Sequence, residues 1–282
     1  MIKFSIIIPA YNSSNYILKT LTSVKQQSYK NFEIVLTDDG SIDPTVDVVE
    51  RFKDENPELS ILINKQGNKG IGAARNASFH LSTGNALAFL DDDDIWYPER
   101  LEEIAKYMNK HPHVDVVSHR VYKRYPDNTK RILPTSIPKK DLFESLLLKG
   151  NTLAISATVV QREAFVKVGY FSEEVSGAED YELWLKLAYQ GFRFGFVPQF
   201  LGEYTRRPGG FSLARIPVHL ASVLSVIDKY GLLLISNHPE KADRIKKAIR
   251  SRKVGETISS IIKLCRQGNF KAAKPLLQNI FR

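Results

Sequence analysis

One cysteine, Cys265, stands among 282 residues. That excludes a disulfide framework within the chain, and the six histidines show no metal-site spacing. Such sparse cysteine points to a reducing compartment. Long apolar runs are missing too: no stretch reaches the roughly 18–20 residues of a membrane span. The nearest candidate, His219 to Ile235, is broken by Asp228 and Lys229 and reads as a helix of a globular fold. The N-terminus lacks a signal-peptide pattern, because Ile6-Ile7-Ile8 is short and Pro9 and Asn12 follow at once. No lipidation signal is present. Acids become scarce toward the C-terminus, where Lys241–Arg282 holds twelve Lys/Arg against Asp243 and Glu256. That window carries most of the imbalance behind the net charge of +9, which favours anionic partners. A composition of 43% hydrophobic and 25% charged residues fits one large α/β domain with appendages, or two small domains.

What is present first is an alternation of strands and helices. Phe4–Ile8, Glu33–Leu36, Leu59–Ile63, Ala86–Leu90 and Val114–Val117 are apolar runs of strand length. Between them, Tyr16–Val24, Val46–Phe52, Gly72–Leu81 and Pro98–Met108 carry helical patterns. Repeated β-α-β spacing implies a parallel sheet with helices on both faces. The middle is less regular. Tyr122–Pro138 suggests a hairpin or a mobile loop, and Thr158–Val160 and Phe192–Val197 suggest strands. Ala178–Tyr189 suggests a helix with Leu183, Trp184, Leu187 and Ala188 on its apolar stripe. Thr205–Arg215, with Pro-Gly-Gly and three arginines, is a candidate loop or lid. From Val218 onward only helical patterns remain.

Four aspartates, Asp91-Asp92-Asp93-Asp94, close the run Ala86–Leu90. Adjacent carboxylates repel one another, and packing does not call for them. A hard divalent cation shared with a substrate phosphate relieves that repulsion. The carboxyl edge of an open α/β sheet is where such ligands bind. A second acidic turn, Asp38-Asp39-Gly40-Ser41, ends another strand; taken alone it equally suits a turn and helix cap. Pro9-Ala10-Tyr11-Asn12 ends the first strand, and Tyr11 suits either packing or stacking on a base. Gly70-Ile71-Gly72-Ala73-Ala74-Arg75 lacks the third small residue of a dinucleotide loop, which excludes a Rossmann cofactor site; its helix-start amides and Arg75 still suit a phosphate. Glu179-Asp180 begins a helix. Asp180 lies on the face of Leu183 and Trp184, an orientation expected of a general base rather than a solvated acid.

Taken together, Ser5–Asn12, Asp38–Ser41, Ala74–Asn76, Leu90–Trp96 and Glu179–Trp184 resemble family 2 glycosyltransferases of the GT-A fold, over roughly residues 3 to 210. The resemblance implies an α/β architecture: a mostly parallel GT-A sheet flanked by helices over 1–215, and a helical C-terminal extension over 216–282. It implies transfer of a sugar, with inversion, from a nucleotide-diphosphate donor (a UDP-sugar favoured) to an acceptor hydroxyl. On that resemblance Pro9, Tyr11, Asp39, Arg75, Asp91 and Asp92 line the donor, with Tyr11 and Asp39 bordering the base. Asp91 and Asp93 form the Asp-x-Asp motif, Asp93 holding Mg²⁺ or Mn²⁺, and Asp180 is the catalytic base. One departure stands out. Many relatives carry Tyr-Arg-x-His after the base, whereas this chain reads Tyr204-Thr205-Arg206-Arg207, which leaves Arg206 or Arg207 to serve the diphosphate.

The partners so implied are a nucleotide-sugar donor and a glycan, lipid-linked or protein-linked acceptor in a cytoplasmic setting. The basic tail invites peripheral docking at the inner face of an anionic membrane. Nucleic acid is not expected as a partner. A non-catalytic nucleotide-sugar binder of the same fold is the alternative. A nucleotidyltransferase is disfavoured because its usual Gly-rich basic loop is absent near the N-terminus.

Overall fold

The computed structural model describes residues 1–138, 141–207 and 215–278. In chain order the strands and helices are β1 (Phe4–Ala10), α1 (Ile17–Lys25), β2 (Phe32–Asp38), α2 (Thr45–Asp54), β3 (Ile61–Lys65), α3 (Ile71–Leu81), β4 (Ala86–Phe89) and β5 (Ile95–Trp96). There follow α4 (Arg100–Lys110), β6 (Val116–Arg124), β7 (Lys130–Leu133), α5 (Leu142–Lys149), β8 (Val159–Gln161), α6 (Arg162–Lys167), α7 (Glu179–Tyr189) and β9 (Phe194–Thr205). The chain ends in three helices, α8 (Ile216–Asn237), α9 (Ala242–Arg266) and α10 (Phe270–Gln278).

Two units are formed. The first comprises Met1–Ile137, Thr152–Glu173 and Lys186–Arg207. The second takes in Pro138–Asn151 and Glu174–Leu185 as well as the described residues from Arg215 on. The expected division after residue 215 groups the chain differently, because α5 and the start of α7 pack with the C-terminal helices rather than with the sheet.

The first unit is built on a mixed sheet in the order β3-β2-β1-β4-β8-β6-β9-β5, with β7 beside β6. Its first four strands are parallel. Antiparallel pairs enter with β8, and β6 and β9 run parallel again. β1 and β2 are buried at every position, as central strands covered on both faces must be. The edge strand β3 is half open and buried only at Ile61. Ile6, Ile8, Ile34, Leu36, Ala88 and Leu90 join Leu101, Ile104 and Met108 of α4 in one core. The chain turns from β1 to β2 and β3 on one side and returns to β4 on the other. At such a reversal open α/β sheets form their ligand crevice, here at the carboxyl ends of β1 and β4.

At the opposite, amino-terminal edge, Glu33 ties three segments together. It accepts hydrogen bonds from Ser5 Oγ (2.7 Å), Thr83 N (2.5 Å) and Gly84 N (3.1 Å), and Lys3 Nζ lies 3.2 Å away. Burial pushes its carboxyl up, but the bonds from Ser5, Thr83 and Lys3 outweigh it and hold Glu33 at about 2. A depressed carboxylate stabilises the fold above its unfolded value and loses that contribution as pH falls. Stability is therefore expected to drop between about pH 4.5 and pH 2. Glu33→Gln should cost about 1–3 kcal/mol at neutral pH and flatten that part of the profile, as read by urea midpoints across the acid range.

The second unit is helical. Ile216, Leu264 and Ala273 form its small core with Ile261, Cys265 and Leu276 packed around it. α8 is long and apolar enough, by length and composition, to cross a membrane. Here its two central charges are paired, Asp228 with Lys253 (2.9 Å) and Lys229 with the fully buried Glu182 (2.7 Å).

Candidate active site

The crevice is lined by three strand ends. β1 and β2 run in register with Ala10 opposite Asp38, so Tyr11 and Asp39 emerge side by side, and Asp39 N donates to Ala10 O (2.8 Å). Leu90 N donates to Ile7 O (3.1 Å), which brings the aspartate run out beside them. The backbone needed here is unusual. Asn12 takes φ 49°, a region asparagine tolerates, and Gly40 takes φ 79°. A Cβ on Gly40 would stand 2.9 Å from Asn68 N, so glycine is required on both counts. Ser41 Oγ accepts from Asn12 N (2.9 Å) and Asn12 Oδ1 from Ile42 N (2.9 Å), locking the two turns together.

The aspartates form a tight turn, closed by Asp94 N to Asp91 O (3.2 Å), and each has its own environment. Asp91 pairs with Arg75 Nη2 at 2.6 Å, and its amide donates to Ser156 Oγ (3.0 Å). Asp92 accepts from Tyr11 N (3.2 Å). Asp93, 14% exposed at its side chain, lies 3.0 Å from Arg207 Nε, and the same guanidinium reaches Asp92 at 3.5 Å. Asp94 is fully buried and accepts from Thr205 N (2.7 Å), a structural role at the end of β9.

Burial pushes the Asp93 carboxyl up to about 8, with Asp92 adding to the effect and Arg207 opposing it. Burial also raises Asp92, against Arg207 and the Tyr11 amide. Burial, then Asp93 and Asp91, raise Asp94 well above the usual range. The turn is thus a concentration of buried carboxyls on which the fold has set two arginines, Arg75 on Asp91 and Arg207 on Asp92 and Asp93.

The sequence-derived site residues fall into three groups. Pro9, Tyr11, Asp91, Asp92 and Asp93 come together at the crevice. Of these Tyr11 is 44% exposed, an open aromatic face, while Pro9 is buried in β1. Asp39 and Arg75 are adjacent but engaged. Asp39, 4% exposed, accepts from Lys69 N, Gly70 N and Gln66 Nε2, all at 2.8 Å, so it fixes the loop that leads into α3. The amides Asp39 takes precede the helix, and the start of α3 itself has no side-chain cap. Arg75 is buried, bonded to Asp91 and set over the Phe171 ring. Asp180 belongs to the second unit. It is half-buried at the start of α7, with Oδ2 accepting from Asn151 Nδ2 (3.0 Å) and Oδ1 from Tyr181 N (2.6 Å).

Arg207 was one of two candidates in sequence, and the structure separates them. Arg207 turns to the aspartates and lies over Tyr16, whereas Arg206 lies over Tyr125. Side chains alternate along an extended segment, so consecutive arginines leave in opposite directions. Ser156 and Gln66 carried no sequence signal, since they act only by reaching across the fold. From 208 to 214 the candidate lid lies outside the described residues.

Among the described residues no group of three or more His, Cys, Asp or Glu side chains is arranged to hold a metal ion unaided. One or two carboxylates completed by substrate phosphate oxygens is the usual arrangement for Mg²⁺. Asp92 and Asp93 fit that pattern, and a guanidinium already sits on both.

The mixed α/β fold is shared with sugar transferases of the GT-A type. The mannosyltransferase PcManGT of Pyrobaculum calidifontis, solved with GDP-Man and Mn²⁺, superposes with a TM-score of 0.66 over 99% of this chain and 79% of its own, at 18% identity. Residues 1–349 of Staphylococcus aureus TarS, solved with UDP-GlcNAc, give a TM-score of 0.64 over 97% of this chain and 90% of that one, at 20% identity. The family model for glycosyl transferase family 2 matches residues 5–169, more than half of the sequence, and the chain belongs to that family. It is a glycosyltransferase.

Sequence relatives agree. EpsE of Bacillus subtilis (strain 168) is 31% identical over 195 residues, 68% of each chain. TarS, a poly(ribitol-phosphate) beta-N-acetylglucosaminyltransferase, is 34% identical over 186 residues, 64% of this chain and 31% of its own. Other curated relatives are matched over 57% and 53% of their length. The family match ends before Asp180.

Proposed function

We propose that the chain is an inverting glycosyltransferase. It moves a sugar from a nucleoside-diphosphate donor, a UDP-sugar favoured, to an acceptor hydroxyl in glycan or polysaccharide synthesis. The observation that carries this reading is the buried Asp92–Asp93 pair under Arg207, next to the open ring of Tyr11. It is supported by TarS, solved with UDP-GlcNAc, and PcManGT, solved with GDP-Man and Mn²⁺.

In this reading Tyr11 stacks on the base and Pro9 and Asp39 shape the wall behind it. Asp39 acts by fixing the Gln66–Gly70 loop rather than by offering a free oxygen. Asp93 holds Mn²⁺ or Mg²⁺ together with the diphosphate, and Asp91 or Asp92 completes the shell or meets the ribose. Arg75 fixes Asp91 in place. When bound, the divalent cation offsets the charge that builds on the leaving nucleoside diphosphate. Arg207 is the diphosphate arginine in place of the relatives' histidine. Asp180 takes the acceptor proton as the hydroxyl attacks the anomeric carbon from the face opposite the leaving group. The work is done in the cytoplasm on a glycan, lipid-linked or protein-linked acceptor. The basic tail holds the protein at the inner membrane face.

A panel of UDP- and GDP-sugars, titrated calorimetrically with and without Mn²⁺, tests the donor. Tight, cation-dependent binding of a UDP-sugar is expected. The anomeric configuration of the product, read by NMR, tests the stereochemistry, and retention would contradict the role given to Asp180.

A further inference from the structure

Lys123, Arg131 and Arg206 come from three different segments, β6, β7 and the end of β9. Their charged ends all lie within 5.9 Å of the Tyr125 ring centre, at 5.7, 5.5 and 5.9 Å. Lys123 also lies 5.8 Å from the Tyr204 ring. Lys123, Arg131 and Tyr204 are partners across adjacent strands, so they share one face of the sheet. Arg206 N donates to Arg124 O (2.8 Å), which carries the ladder one residue past β9 and up to Arg207 on the aspartates.

Basic residues at a sheet edge often serve only to block strand pairing. That purpose is met by charges spread along the edge strand, and it gives no reason for three cations from three segments to gather at one ring. The Tyr125 ring attracts each cation and Arg131 also acts on Asp127, and a bound polyanion suits the remaining basic excess of the face. A tetrahedral phosphodiester suits cations arriving from several directions, while the two tyrosines offer flat surfaces for sugar or polyol carbons.

We infer that the face of Lys123, Tyr125, Arg131, Tyr204 and Arg206 binds the acceptor, and that the acceptor is a phosphodiester-linked glycan. This rests on the transferase reading above and specifies its acceptor class.

The full chain is titrated with a synthetic polyol-phosphate oligomer. An oligogalacturonate of equal charge, a neutral maltooligosaccharide and an oligothymidylate with the same number of phosphates serve as comparisons. The polyol phosphate is expected to bind most tightly, and to weaken as salt screens the cations. The double variant Lys123→Ala/Arg131→Ala should lose about tenfold or more, and Lys123→Arg should retain binding. Thermal melts confirm that each variant is folded, and the comparison among the four oligomers in the wild type does not depend on any variant. Equal or tighter binding of the galacturonate or the thymidylate, no binding of the polyol phosphate, or an unaffected double variant would each overturn the inference. A UDP-sugar titration with Mn²⁺ on the same preparation separates the two levels. Donor binding without polyol-phosphate binding overturns this inference alone, whereas no donor binding removes the transferase reading beneath it.

Discussion

Asp180→Asn is expected to lower turnover by about 10²–10⁴-fold, the range lost when a general base is removed, while leaving donor affinity unchanged. The amide keeps the size of the carboxylate and one oxygen acceptor, so one of the two hydrogen bonds from Asn151 and Tyr181 is kept. What it cannot do is take a proton. Loss of negative charge at a helix start costs at most about 1 kcal/mol, so the variant should fold and its melting temperature should stay close to that of the wild type. Single-turnover transfer and calorimetric donor titration, run side by side, read the two quantities. Unchanged turnover would remove Asp180 from the reaction. A wild type that binds donor yet transfers sugar neither to an acceptor nor to water would favour the non-catalytic binder instead.

Asp93→Asn should have an effect of opposite character. The cation contributes several kcal/mol of charge stabilisation, and each 1.4 kcal/mol is a factor of ten. Cation-dependent donor binding and transfer together are therefore expected to fall by about 10³-fold. The stability of the donor-free protein should not fall with them. Burial, with Asp92 adding to it, raises the Asp93 carboxyl to about 8, so the charged form is disfavoured in the donor-free fold, and an amide of the same size removes that cost while Arg207 keeps its contact with Asp92. A melting temperature that holds or rises, alongside lost Mn²⁺ binding by electron paramagnetic resonance, is the expected pair of results. A variant that loses both stability and activity would mark Asp93 as a structural residue. One that keeps Mn²⁺-dependent binding would place the cation elsewhere.

Much of the first unit was legible in its sequence because burial there is nearly complete. Runs such as Phe4–Ile8 and Ala86–Leu90 read as central strands, although β1 continues through Pro9 to Ala10. Where packing depends on distant partners the signal faded. β5 is two residues long and exists only because Ile95 and Trp96 meet Glu203 and Gly202 of β9. The strand expected over Phe192–Val197 runs on to Thr205 as β9, whose extra residues opposite His119–Tyr122 shift the register before pairing with β6 resumes. The hairpin alternative for Tyr122–Pro138 is the one adopted, as β6 and β7 joined through a turn at Tyr125–Thr129.

The acid turn was visible as chemistry before it was visible as structure, since four adjacent carboxylates are costly without a purpose. The employment of individual oxygens was not. Asp39 as the anchor of the loop before α3, Arg75 as the partner of Asp91, and the division of labour between Arg206 and Arg207 each depend on a fold that brings residues 16 to 114 positions apart into contact. Asp180 shows the same limit. Its helical phase suggested the inward face, but Glu182 is the fully buried acid of that turn, and Asp180 is only half-buried.

Crystals grown with UDP and Mn²⁺, with data collected for manganese anomalous scattering, test the central claim most directly. The expected map has a single strong peak within bonding distance of Asp93 and of the diphosphate oxygens, with the uracil against Tyr11. A peak away from the aspartate turn, or a nucleotide bound outside the crevice between β1 and β4, would contradict the account.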